Sequence, residues 1–225
     1  MASSDPSSAY SCRRIGPANT KGHVIYLQDE KGSPISAAHD IPLYVPREPS
    51  LLHMVVTAPR WTNATMKTSL DGTLNPIRQE TRKGKLRYAL NIFPHHGYIW
   101  NYGYLPQPTW TWESPIVTHP QTKRQGDNYC LDVCEIGQNI GYTGQVKKIK
   151  ILGAMALINN GETDWKIVAI DVNDRFANQL NSIEDVEYWR AGFLRATNEW
   201  LRVQDIPEGK KEKEFAFTGE CKNKE

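Results

Sequence analysis

The stretches TGQVKKIKILGAMALI (Thr143 to Ile158) and WKIVAIDV (Trp165 to Val172) are rich in apolar and β-branched residues, and a polar, glycine-containing break runs between them. They read as two strands joined by a turn. Working outward, similar runs span Val24 to Gln28, Leu51 to Thr57, Leu86 to Leu90 and Leu131 to Ile136, with breaks such as Asp29-Glu30-Lys31-Gly32 and Pro59 beside them. Many short strands punctuated by glycine and proline predict a small barrel or sandwich. One helical stripe, Val186, Trp189, Phe193, Trp200 and Leu201, predicts a helix that starts at a Ser182/Asp185 capping box and stops near Ile206-Pro207. The fold class is α+β, mainly β, with that helix packed outside. A barrel interior filled by alternating side chains sends most carboxylates to a mouth or edge. Lys147, Lys148 and Lys150 are expected on a solvated strand face, and Phe215-Ala216-Phe217 is expected to dock the charged tail onto the body.

The 225 residues, 39% hydrophobic and 10% aromatic, are enough for one domain, placed at 21–225 after a flexible segment 1–20 rich in Ser, Pro and Ala. A net charge of +2 offers no concentrated basic face, so neither nucleic acid nor an anionic membrane is expected as a partner. No apolar stretch approaches the length of a membrane span or a signal core, which points to a cytoplasmic protein. Cys12, Cys130, Cys134 and Cys221 lack CxxC spacing and are expected as reduced thiols.

Chemistry concentrates in Gly126-Asp127-Asn128-Tyr129-Cys130-Leu131-Asp132, where two carboxylates flank a tyrosine and a cysteine. With Asp164 as a third, Asp127 and Asp132 could hold Mg²⁺ through oxygen and leave positions for water and phosphate. Arg87, Tyr102 and Lys166 offer a planar fork, a hydroxyl and a point charge, a suitable set for phosphate oxygens. Taken singly, each also fits a surface ion pair or a turn.

Together these residues resemble the soluble family I inorganic pyrophosphatases of the eukaryotic type. The likeness rests on His39-Asp40-Ile41-Pro42-Leu43, Pro59-Arg60-Trp61-Thr62-Asn63, Thr73-Leu74-Asn75-Pro76-Ile77, Lys83-Gly84-Lys85-Leu86-Arg87, Phe93 to Tyr102, Asp132 to Gly137, Gly161 to Lys166 and Leu194 to Trp200. The resemblance implies an OB-like five-stranded barrel with flanking helices and a Mg²⁺-dependent site at its mouth, where metals clamp diphosphate for in-line attack by water. It assigns Asp127, Asp132 and Asp164 to metal and Arg87, Tyr102 and Lys166 to diphosphate. It also implies a homodimer through Arg60, Trp61 and His96.

Other positions depart from the family pattern. Thr57 stands for a glutamate, Thr65 for a lysine, Lys67 for a glutamate, Asn159 for an aspartate, and Gln204-Asp205 for a Tyr-Lys pair. Tyr129 replaces the carboxylate that helps deprotonate the attacking water, and its pKa near 10 unfits it for that task at neutral pH. The candidate catalytic residues are therefore Tyr102, Lys166 and Tyr129. Trp100, Tyr104, Trp110, Trp112 and Tyr129 add aromatic surface nearby. This pattern predicts a repurposed enzyme acting on an organic, for example prenyl, diphosphate by ionisation or cyclisation. The alternatives are a weakly active Mg²⁺-dependent inorganic diphosphatase and a non-catalytic diphosphate-binding or regulatory relative.

Overall fold

The structure is a computed structural model, and it describes residues 9–69, 71–107 and 130–224. Asp127, Tyr129, Trp110 and Trp112 lie outside these residues. In chain order the strands are β1 (Ser11–Ile15), β2 (Val24–Gln28), β3 (Pro34–Ile35), β4 (Tyr44–Val45), β5 (Glu48–Ala58), β6 (Met66–Thr68), β7 (Ile77–Gln79), β8 (Thr81–Arg82), β9 (Lys85–Leu86), β10 (Asn101–Tyr104), β11 (Asp132–Glu135), β12 (Val146–Asn159) and β13 (Glu162–Asp171). Helices α1 (Ile183–Trp189) and α2 (Phe193–Val203) follow, then β14 (Glu214–Phe215) and β15 (Lys222–Asn223).

The larger sheet runs β14-β12-β13-β11-β10-β5-β4, and a further β12–β5 pairing closes it on itself. The closed ring is β5, β10, β11, β13 and β12, five strands, as in an OB-like barrel. Strand β12 can serve two neighbours because of its length. Val146 to Ile149 pair with β5, and Ile149 to Asn159 pair with β13. The β12–β13 hairpin turns on Asn160 and Gly161, at φ 51° and 91°. Two positive φ values in a two-residue loop fit the twist of the flanking strands.

Alternation along the ring strands divides the core. Met54, Val56, Val133, Ile149, Ile167 and Ala169 form one cluster built from ring residues. Their neighbours Cys134, Val168 and Ile170 pack with Trp100, Val186, Trp200 and Leu201, so α1 and α2 cover that face.

The predicted single helix is two. Ser182 and Asp185 do form the capping box of α1, but Gly192 at φ 79° ends the continuity, and α2 starts afresh at Phe193. Of the predicted run Leu86 to Leu90, only Leu86 lies in a named strand, β9. Residues 11–15 of the segment set apart as flexible form β1, paired throughout with β2. The tail docks as expected, through Leu157↔Phe215 and Ile158↔Glu214.

Lys147 is a correction of a different kind. It is only 4% exposed, with Nζ 2.9 Å from Glu135 Oε2 and 3.0 Å from Asp171 Oδ2. Lys148, beside it, reaches Glu48 at the surface.

Gly103 fixes the seat of Tyr102. The β10–β5 register shifts between these two residues, and a Cβ on Gly103 would run into the Val55 carbonyl. Gly103→Ala is expected to cost about 1–3 kcal/mol in chemical denaturation, as overpacked cores do. An unchanged midpoint would show that β5 can yield there.

Candidate active site

Three ring strands bring the candidate residues together. In the parallel β11–β13 pairing, Asp132 faces Lys166. Asp164 lies two residues before Lys166 and so shares its face, and Tyr102 comes from β10 on the other side of β11. Lys166 Nζ lies 2.5 Å from Asp132 Oδ2, 2.7 Å from Asp164 Oδ1 and 3.0 Å from the Tyr102 hydroxyl. The Tyr102 hydroxyl donates to Asp132 Oδ2 at 2.5 Å.

An aromatic floor holds this set. Tyr102 stacks on Tyr98 with centroids 5.6 Å apart and tilts against Trp100 at 5.4 Å. Trp100 and Trp200 meet edge to face, and their indole N–H groups are satisfied by Thr197 Oγ1 and the Gly97 carbonyl. Rings with no unpaired polar atom give a stiff base.

The charges explain the protonation states. Burial alone would lower the Lys166 ammonium, but Asp132 and Asp164 outweigh it and hold it well above the usual lysine range. Burial, followed by the charge of Asp132 and then that of Asp164, drives the Tyr102 phenol well above 10. At neutral pH Lys166 is a cation and Tyr102 a donor.

Two of the expected metal-binding aspartates thus converge on one cationic centre. Among the described residues no three His, Cys, Asp or Glu side chains form a metal-binding group, and Asp127, the expected third, lies outside them. The donors that do converge are carboxylate oxygens held about a positive charge, which is the chemistry a hard divalent cation takes.

Arg87 is not part of that knot. It follows the β8–β9 hairpin, and its guanidinium meets Glu80 at 3.0 Å, Glu208 at 3.3 Å and Asp205 at 3.6 Å. Tyr98 lies between the two groups: burial raises its phenol, and Arg87 and Asp132 act on it with opposite sign. Sequence reading missed Glu80 and Glu208. Glu208 is 121 positions from Arg87, and nothing local marks it.

Departing positions surround this region. Thr57 Oγ1 donates to the Tyr102 carbonyl at 3.3 Å, Thr65 is buried, and Lys67 reaches Glu80 at 3.7 Å. Of the expected dimer residues, Trp61 is 53% exposed and His96 is exposed. Arg60 is buried and donates to the Ile136 carbonyl at 3.2 Å, so its guanidinium is engaged within the chain.

The family model described as inorganic pyrophosphatase matches residues 54–225. An inorganic pyrophosphatase of Yarrowia lipolytica is 59% identical over 217 residues, 96% of this chain and 74% of that protein. One from Schizosaccharomyces pombe is 57% identical with the same coverage. Among solved structures, the inorganic pyrophosphatase of Schistosoma japonicum matches with a TM-score of 0.88 and 46% identity, over 95% of this chain and 74% of that one. The type I enzyme of Toxoplasma gondii gives 0.86 and 34%, over 95% and 91%.

These relatives overturn the expectation of a repurposed enzyme for organic diphosphates. Identity at this level, over nearly the whole chain, is to proteins named for the inorganic substrate, and it outweighs the altered site positions and added aromatic residues on which that expectation rests. The chain belongs to the inorganic pyrophosphatase family.

Proposed function

We propose that the protein hydrolyses inorganic diphosphate to two phosphates with Mg²⁺ as cofactor. The observation that carries this reading is the convergence of Asp132, Asp164, Lys166 and Tyr102, from three strands, on the Lys166 ammonium. Asp132 and Asp164, joined by Asp127, would hold the metal, which supplies Lewis acidity and lowers the pKa of water. Lys166 presents a fixed positive charge to a phosphate oxygen. Tyr102 keeps its proton and orients the Asp132 carboxylate, and the aromatic floor prevents either from shifting. Arg87 offers its fork to the far phosphate.

The rate should fall below that of the relatives. Tyr129 stands where the family pattern has a water-activating carboxylate, and loss of a general base typically costs ~10²–10⁴ in rate. We further place the protein in the cytoplasm as a homodimer, with Trp61 and His96 as its exposed contacts. The described residues contain no helix long and apolar enough to cross a membrane.

Purified protein incubated with Mg²⁺ and diphosphate at neutral pH is expected to release phosphate, to stop on addition of a chelator, and to turn over more slowly than the Yarrowia lipolytica relative. No release, together with no calorimetric binding of Mg²⁺-diphosphate, would sink the reading.

A further inference from the structure

We propose that Asp205 and Glu208 set the affinity for diphosphate by competing with it for Arg87, an inference that rests on the hydrolase reading above. A guanidinium offers five N–H donors in one plane, and phosphate is recognised by the same fork that carboxylates use. Here that fork is already occupied: Nη1 by Glu80 at 3.0 Å, Nε by Glu208 at 3.3 Å and Nη2 by Asp205 at 3.6 Å. A phosphate oxygen competes with three carboxylates for the N–H groups of Arg87, and it approaches against their like charge.

The competitors are held in place. Asp205 is buried and also paired with Lys210 at 3.0 Å and Lys213 at 3.1 Å, while Glu208 pairs with Arg82. Burial acts to raise the Asp205 carboxyl, but Lys213 and Lys210 outweigh it and keep it below the ordinary aspartate range. The backbone of the segment is closed by bonds from Glu208 N and Lys210 N to the Asp205 carbonyl. An ordered segment loses little entropy in holding Arg87, which makes it an effective rival.

The charge order at the rim explains why the rival is there. The resemblance implies a glutamate at position 67 and a lysine at position 205, whereas this chain has Lys67 and Asp205, a reversal at both. Lys67 now leans on Glu80, and Asp205 leans on Arg87. Five cations, Lys67, Arg82, Arg87, Lys210 and Lys213, surround three carboxylates, so an anion is still attracted to the rim. The carboxylates lower its affinity without closing the site.

The test is a comparison of wild type, Asp205→Asn, Glu208→Gln and Asp205→Glu. KM and kcat come from phosphate release, and Kd comes from calorimetry with imidodiphosphate and Mg²⁺. Each neutralised variant is expected to lower KM and Kd by roughly threefold to tenfold, the scale of one partly exposed ion pair, with kcat within about twofold. Asp205→Glu is expected to keep the wild-type constants. Since Asp205 also ties down Lys210 and Lys213, each variant is melted first, and Glu208→Gln decides alone if Asp205→Asn does not fold. An active wild type whose folded variants show unchanged or raised KM and Kd overturns the competition and leaves the hydrolase reading standing. A wild type that neither turns over diphosphate nor binds the analogue overturns both.

Discussion

Lys147→Met is expected to lower the stability of the fold by about 3–5 kcal/mol, the usual cost of removing one partner from a buried ion pair. The lysine is enclosed by Glu135 and Asp171, and Glu135 is 0% exposed. Glu135 also accepts from Asn101 Nδ2 at 2.7 Å, Gly137 N at 2.6 Å and Asp171 N at 3.2 Å. Without the ammonium these bonds remain, but two carboxylates are left facing each other with no cation between them. Denaturant midpoints measure the loss. Glu135→Gln combined with Lys147→Met should cost much less than the sum of the singles, because the double variant leaves fewer uncompensated charges. A loss under about 1 kcal/mol for Lys147→Met would place the site in the class of weak surface pairs and sink the prediction.

The same residue fixes a pH dependence. Burial would depress the Lys147 ammonium, yet Glu135 and Asp171 more than offset this and raise it above the usual lysine value. A lysine that titrates higher folded than unfolded contributes its full stability below the unfolded pKa, about 10.4. The contribution is then lost as pH rises through the higher folded value. Wild type and Lys147→Met should therefore differ most at neutral pH and converge at strongly alkaline pH.

Lys147 also shows where sequence reading reaches its limit. The pattern Lys147-Lys148-Ile149-Lys150 looks like a strand with one wet face, and Lys148 obeys it. Lys147 does not, because its stretch of β12 is covered on one side by β5 and carries a buried carboxylate pair from β11 and β13. Nothing within a short window announces a partner on another strand. The break between α1 and α2 is different, since Gly192 interrupts a periodic apolar stripe that runs on across it. Asp132, Asp164, Lys166 and Tyr102 were all legible as residue types for metal and phosphate, but their meeting depends on the parallel register Asp132↔Lys166. The neighbours of Arg87 were not legible, and for the same reason. On function, the altered site positions predict a changed substrate, and identity along nearly the whole chain to proteins named for inorganic pyrophosphate overturns that.

Asp132→Asn should separate activity from stability. Under the proposed function Asp132 both holds the metal and receives Tyr102 and Lys166, so the amide removes a full negative charge from the centre of the site. Metal-linked charge stabilisation is worth several kcal/mol, and each ~1.4 kcal/mol is tenfold in rate, so phosphate release should fall by at least ~10²-fold. The fold should barely notice. Lys166 retains Asp164 at 2.7 Å, and the asparagine carbonyl can still accept from the Tyr102 hydroxyl. Phosphate release and denaturant midpoints, measured on the same sample, give the two readouts. Lys147→Met should show the opposite combination in folded protein, a large loss of stability with catalysis largely kept, because its carboxylate partners, Glu135 and Asp171, are not those that meet at Lys166. If Asp132→Asn kept activity within tenfold of wild type, the convergence on Lys166 would be a structural ion pair, and the diphosphatase site would have to lie elsewhere.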